Sequence, residues 1–318
     1  MERETLPKLS EPVLYLAPLS GITDKPFRLL CYEFGGLAGA ILPMIGARAL
    51  LDKGSRAHTL KLLDWEDGEL NRGLQVQIFG GNQADMVQAC KFLMDRGCKA
   101  INLNLGCQVP KVLKNGGGAA WLRDLDSASH LLEACAQVCQ GVAVVTVKMR
   151  LGWDHFNVQP FLKRLKDLGA VAVFMHGRLA VDKFSGTVSY AHMRLAGEAC
   201  SVPFYANGDI TDHESAENML RAVPKAQGLM LGRGALGHPD VFARLNNSLK
   251  SGIQSARIES QKLLRRHLEL VNTYLDESEL SAVRKLRRHL PYYDCTNPAF
   301  FKASTFKELF EILDVGLG

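Results

Sequence analysis

Cys107 stands in the run NLNLGCQVPKV (102–112), next to a glycine and just past an apolar stretch. A free thiol with a pKa near 8.5 is mostly protonated at neutral pH and can donate a proton. Nucleophilic use needs a partner base, and no local Cys-His pattern marks one. The plain alternative is an inert thiol packed as a small hydrophobe, the reading for cysteines 31, 90, 98, 135, 139, 200 and 295. Lys148 ends the run VTVK, where an unpaired buried ammonium is costly and a structural filler is a poor explanation. Gln77 offers amide donors and acceptors, or serves as a simple strand-end hydrogen bonder. His176, in His176-Gly177-Arg178, is either a satisfied core histidine or a ligand contact. Two turns, Asn207-Gly208-Asp209 and Gly232-Arg233-Gly234, are glycine-rich. Backbone N–H groups in such turns approach phosphate oxygens closely, and Arg233 adds a charged donor. These two turns predict a phosphorylated cofactor or substrate.

The elements that must carry these residues are short apolar runs alternating with helical ones. Strands are expected at 13–17, 39–43, 74–79, 100–104, 143–149, 170–176, 203–207 and 227–231. Their near-continuous apolar character suits parallel strands buried on both faces. Between them lie segments with a period near 3.6, such as 83–97 and 126–141. Gly97, Gly141 and Gly169 fall where helices stop. Eight such units predict an α/β fold, a TIM (β/α)8 barrel. A doubly wound open sheet is the alternative, but its first strand ordinarily leads into a GxGxxG turn, and here it leads into APLSG. In a barrel the site lies at the C-terminal strand ends, which is where all the residues above fall. Beyond about residue 240 the strand signals stop and polar helical runs follow at 258–275, 278–293 and 304–313. The expected division is a barrel over 1–239 and a small all-α C-terminal domain over 240–318.

Composition narrows the class further. The 318 residues include 22% charged ones, far from the range of disordered chains. No run of 18 apolar residues occurs, so no membrane-spanning helix is expected. The segment MERETLPKLSEP is charged and polar, without the apolar centre of a secretion signal; a cytoplasmic protein is the default expectation. A chain of this size needs no disulfide staples and a cytoplasmic one keeps its thiols reduced, and the eight cysteines form no CxxC pair, so no zinc knuckle and no metal site are expected. A net charge of +5 permits a polyanionic partner without demanding one. Arg284 to Arg288 places four cations in five residues, either a solvated helix face or a track for a nucleic-acid backbone. Lys111 and Lys114 precede glycines 116 to 118, which suggests a flexible loop carrying those lysines.

APLSGITDKPFR (17–28), VQIFGG (76–81), NLNLGCQVPKV (102–112) and VKMRLGW (147–153) resemble the signature blocks of the dihydrouridine synthases. HGR followed by FSG (176–186), NGDI (207–210), GRGALGHP (232–239) and the tail run VRKLRRHLPYY (283–293) are similar to them too. The ordered set covers almost the whole barrel and looks nearest to the bacterial B-type branch. The resemblance implies FMN as bound cofactor, NADPH as reductant, and reduction of the C5–C6 bond of a uridine in folded RNA, most often tRNA. It implies that Cys107 is the acid and that Gln77 and Lys148 meet the isoalloxazine. His176 is expected at flavin or phosphate, and Pro18, Leu19 and Ser20 touch the flavin through backbone atoms. Asn207, Gly208, Asp209, Gly232 and Arg233 are the expected phosphate site. Asn104 is expected to read the uracil edge, while Lys111, Arg150, Arg178, Arg287 and Arg288 face RNA. A monomer is expected.

Three positions depart from the family pattern. Gln108 follows the cysteine where a proline is usual, Pro43 precedes Met44 where a glutamate is common, and Leu179 replaces a threonine after HGR. Two other functions compete with the leading one. A flavin barrel acting on a free small molecule would not need the basic helical appendage. A non-catalytic RNA-binding relative would not be yellow when purified.

Overall fold

The computed structural model describes residues 13–315 except 184, 275, 276 and 296. The polar N-terminal segment 1–12 lies outside the described residues. Nine parallel strands form one sheet: β1 (Val13–Leu16), β2 (Gly39–Ala40), β3 (Ile45–Gly46), β4 (Val76–Phe79), β5 (Ala100–Leu105), β6 (Val144–Arg150), β7 (Ala170–His176), β8 (Phe204–Asn207) and β9 (Ala226–Leu231). The order is β2-β1-β9-β8-β7-β6-β5-β4-β3. β2 and β3 are two pieces of the single strand expected at 39–43. A bridge from Ile41 to Gln75 and the bonds Gln75 N–H to Ala40 O and Leu42 N–H to Gln75 O close the ring between them. The chain is therefore a TIM barrel of eight strand positions, the second interrupted at residues 42–44.

The elements follow from local chemistry. Asp24 caps the helix Lys25–Phe34, with Pro26 in its first turn, and Gly35 ends it. Asp124 caps Leu125–Cys139 with bonds to the N–H groups of Asp126 and Ser127. The run after Gly117 forms a 3-10 helix, Gly118–Arg123, rather than a full helical turn set. Outside the strands, Met86, Ala89, Cys90 and Leu93 on one helix and Leu131, Leu132 and Cys135 on the next join the main core.

The inside of the barrel has two halves. Side chains alternate along a strand with period two, so every second residue points inward. On one side Tyr15, Phe174 and Tyr205 form a triangle with ring centroids 5.0 Å apart, packed with Ile41 and Met230. On the other side the inward residues are Gln75, Gln77, Asn102, Asn104, Thr146 and Lys148. The pleat gathers them into one polar wall.

The helix Val241–Ser251 packs on the barrel, with Val241, Phe242 and Leu245 in its core. The separate helical core starts later, at Leu263, and runs through Val283, Leu290, Tyr293 and Leu309. It rests on the helix Lys25–Phe34, where Phe34 packs against it and Arg266 pairs with Glu33 at 2.7 Å.

Candidate active site at the barrel mouth

Strand register assembles the site. Asn104 pairs with Lys148 across β5 and β6. Arg150 pairs with His176, and His176 with Asn207, across β6 to β8. On the far side, Ala17 N–H bonds Leu231 O at 2.8 Å, which sets the loop after β1 beside the loop after β9. Leu19 Cδ2 lies 3.7 Å from the point a Cβ on Gly232 would take. Thr23 holds that first loop, donating to Ala17 O and accepting Leu19 N–H, both at 2.9 Å. Pro18, Leu19 and Ser20 thus border Gly232 and Arg233.

The cysteine loop is held from both sides. Asn104 Oδ1 accepts the N–H groups of Gly106 at 3.1 Å and Cys107 at 2.9 Å. Arg150 Nε donates to Gly106 O at 3.1 Å and its Nη1 to Leu179 O at 2.7 Å. Behind Cys107, the 116–118 glycines are packed rather than loose. Gly118 has φ 61, and a Cβ there would collide with Cys107 O. The expected flexible loop is therefore a close seam that backs the thiol. Burial raises the Cys107 pKa, opposed by the Val109 N–H and by the cations of Arg150 and Lys148. The thiol stays protonated at neutral pH, as an acid requires.

The polar wall extends this grip. Asn104 Nδ2 donates to Gln77 Oε1 at 2.8 Å and reaches Met44 Sδ at 3.3 Å. Gln77 Nε2 donates to Asn102 Oδ1 at 2.7 Å, and Asn102 Nδ2 to Thr146 Oγ1 at 2.7 Å. Thr146 Oγ1 donates to Gln75 Oε1 at 2.5 Å. Gln75, Asn102 and Thr146 were not singled out in the sequence; their spacing two residues from Gln77, Asn104 and Lys148 was the available signal.

Several of these residues also carry internal partners. Gln77 is 1% exposed, with both ends of its amide engaged inside the protein, so it braces Asn104 rather than presenting a free edge. Asn104 spends its oxygen on the cysteine loop instead of standing open to a base. Arg178 is 4% exposed. It makes a two-point pair with Asp209 at 3.0 and 2.6 Å and donates to the carbonyls of Ser185 and Gly186. These bonds make the guanidinium a brace between Asp209 and the 185–186 backbone. Arg150, equally buried, braces the cysteine loop.

The expected phosphate side gathers Lys148, His176, Asn207 and the turns at 208 and 233. Lys148 Nζ donates to Asn207 Oδ1 at 3.2 Å, and Asn207 Nδ2 to Met230 O at 2.7 Å. Burial, then Arg150, lowers the Lys148 pKa to about 8. Burial also holds His176 well below its usual value, with Lys148, Arg150, Arg178 and Arg233 adding to the effect. His176 Nδ1 is buried without a partner. Gly208 has φ 127, and a Cβ there would strike Val188. Arg233 is 58% exposed and reaches Asp209 at 3.4 Å. A buried lysine, an unpartnered imidazole nitrogen and two glycine turns suit an anionic, phosphate-bearing group. The donor set fits the flavin mononucleotide that the family resemblance implies.

The outer surface divides the remaining cations. Lys111 is exposed on the short helix Pro110–Lys114, next to the cysteine loop. Arg288 is exposed and its guanidinium lies against Gly21, on the loop after β1. This contact brings the basic run of the appendage to the barrel rim. Arg287, by contrast, is half-buried and donates to Ala303 O at 2.6 Å; it ties two helical pieces together. Among the departures, Leu179 serves through its backbone and Met44 through its sulfur, while Gln108 is buried under the loop.

Among the described residues no helix is long and apolar enough to cross a membrane. In shape the chain is similar to histamine dehydrogenase from Rhizobium sp. 4-9, at TM-score 0.58 and 12% identity, over 83% of this chain and 51% of that one. It is also similar to morphinone reductase, at TM-score 0.50 and 11% identity, over 74% and 87% of the two chains. These likenesses concern the fold. In sequence it is 33% identical over 309 residues to tRNA-dihydrouridine synthase B of Pseudomonas syringae pv. tomato, covering 95% of this chain and 87% of the relative. It is 31% identical to tRNA-dihydrouridine synthase B of Vibrio vulnificus, over 96% and 92% of the two chains. The family model described as Dihydrouridine synthase (Dus) matches residues 15–314. With that match spanning the barrel and the helical appendage alike, the chain belongs to the dihydrouridine synthase family.

Proposed function

We propose that this protein reduces a uridine of tRNA to 5,6-dihydrouridine, with FMN bound at the barrel mouth, NADPH as reductant and Cys107 as proton donor. The observation that carries the reading is the braced, protonated Cys107 beside the buried cation of Lys148. FMN held at the mouth, with NADPH as reductant, would supply a hydride to one carbon of the uracil C5–C6 bond. Cys107 holds a proton at Sγ and gives it to the other carbon. Asn104 and Arg150 fix the loop that aims the thiol. Lys148 offsets negative charge where the reduced ring sits, and His176, Gly208, Arg233 and their neighbours hold the phosphate end. A stacked base must leave its stack to reach this depth. Lys111 and Arg288 flank the mouth and suit the RNA backbone on either side of an extruded uridine. The cytoplasm is the proposed location.

The test is nucleoside mass spectrometry of tRNA incubated with the flavin-loaded protein and NADPH. One uridine gaining two hydrogens is the expected result. Reduction of free uridine or orotate without any change in tRNA would replace this reading by a small-molecule reductase. A colourless protein that binds tRNA without altering it would leave only an RNA-binding relative.

A further inference from the structure

The junction between barrel and appendage holds three side chains that the proposed reaction does not use. Asp24 caps the helix Lys25–Phe34 and accepts Phe27 N–H at 3.2 Å. His267 lies on the helix Ser260–Tyr274, and His289 immediately precedes the turn Leu290–Tyr292. One ligand atom from each lies within 4.8 Å of the other two. The histidines are 0% and 1% exposed. Three of their four ring nitrogens, His267 Nε2 and both of His289, have no hydrogen-bond partner in the protein. A buried polar atom left unpaired is destabilising, so the cluster is short of a guest.

The chemistry of the cluster suits a cation. An imidazole of ordinary pKa is already mostly neutral at neutral pH, so each buried ring offers a lone pair to a cation. The remaining nitrogen, His267 Nδ1, meets the Tyr293 hydroxyl at 3.0 Å. Metal-bound imidazoles use such an outer bond to fix their tautomer. The cations nearest Asp24 are Arg28 and Lys285, and each already has a partner: Glu69 at 2.7 Å and Glu277 at 2.7 Å. The Asp24 charge is thus available to another ion.

We propose that Asp24, His267 and His289 bind one divalent transition-metal ion, zinc by ligand type, which fastens the helical appendage to the barrel. Two imidazoles and one carboxylate form a common zinc set with a fourth position open to water. Zinc–ligand distances of about 2.0–2.2 Å need the three atoms closer than their present bound, a change that side-chain rotation supplies. The site does not depend on the reaction proposed at the barrel mouth.

The experiment is elemental analysis of the intact flavoprotein, as purified and after zinc addition and desalting, with cobalt(II) as a spectroscopic probe. Wild type is expected to hold about one equivalent and to show cobalt absorption of a nitrogen–oxygen site, without the thiolate band that the cysteines would produce. Asp24→Asn keeps the helix cap and should bind at least about ten-fold more weakly, while His289→Gln should not bind. Chelator should lower the melting temperature of wild type and leave both variants unmoved. Flavin content, measured on the same samples, separates misfolding from loss of the ion. Metal below a tenth of an equivalent with no thermal response to zinc overturns the proposal and leaves water as the guest. A thiolate band, or equal binding in the variants, overturns it too.

Discussion

Asn104 Oδ1 accepts the backbone N–H of Cys107 at 2.9 Å, while Asn104 Nδ2 is anchored on Gln77 at 2.8 Å. The aim of the thiol is therefore set by a chain of amides that begins inside the barrel. Asn104, expected at the uracil edge, is thus also tied to the backbone of the cysteine loop.

Cys107→Ala separates the two halves of the reaction. Flavin reduction by NADPH should run at its normal rate. Reoxidation by tRNA should slow by about 10²–10⁴-fold, the usual contribution of a positioned acid. Because burial raises the thiol pKa, the acid form persists through neutral pH. The tRNA half-reaction should stay flat there and fall only as pH climbs past the ordinary thiol range. Stopped-flow traces of both halves against pH check this; an unslowed alanine variant would remove Cys107 from the role.

Asn104→Ala should release the loop without emptying the flavin site. The expected result is flavin content near wild type, slow uracil reduction, and faster hydrogen exchange over residues 105–109. Were Asn104 only a base reader, exchange in that loop would not change and the defect would lie in KM alone.

Lys148 is costly to the unliganded protein. Its folded pKa, about 8, lies below the ordinary lysine value of 10.5. The unfolded chain therefore binds more protons between these values, and stability should rise with pH across that window. Lys148→Met should stabilise the flavin-free protein by about 1–3 kcal/mol, since it removes a buried charge, and should abolish the rise. The same variant should hold FMN poorly. Urea melts at several pH values and flavin titration measure the two effects.

The two arginines once grouped together should now part. Arg288→Glu should weaken tRNA binding and reduce the salt slope by about one or more. Arg287→Ala removes the tie to Ala303 O. It should cost about 1–3 kcal/mol of stability while leaving the salt slope unchanged. A salt titration of both variants, with thermal melts alongside, checks the division; equal slopes in Arg288→Glu and wild type would clear that residue of RNA contact.

Strand count, strand order along the chain and the address of the site were legible because each rests on local pattern. Apolar runs of strand length, glycines at helix ends and the blocks around Cys107, Lys148, His176, Asn207 and Arg233 are all contiguous in sequence. Partnership is not contiguous, and there the one-dimensional reading stopped. Arg178 could be expected to pair with a carboxylate, but nothing in HGR shows that the partner is Asp209, 31 residues away. Glycines 116 to 118 looked flexible because composition does not record the Gly118 contact with Cys107. Gln75, Asn102 and Thr146 were not singled out because only the register of β4, β5 and β6 lines them up. Residue types determined which chemistry was available at the mouth. The folded barrel decided which polar groups were spent on one another and which were left to meet a ligand, because a hydrogen bond depends on distance in space and not along the chain.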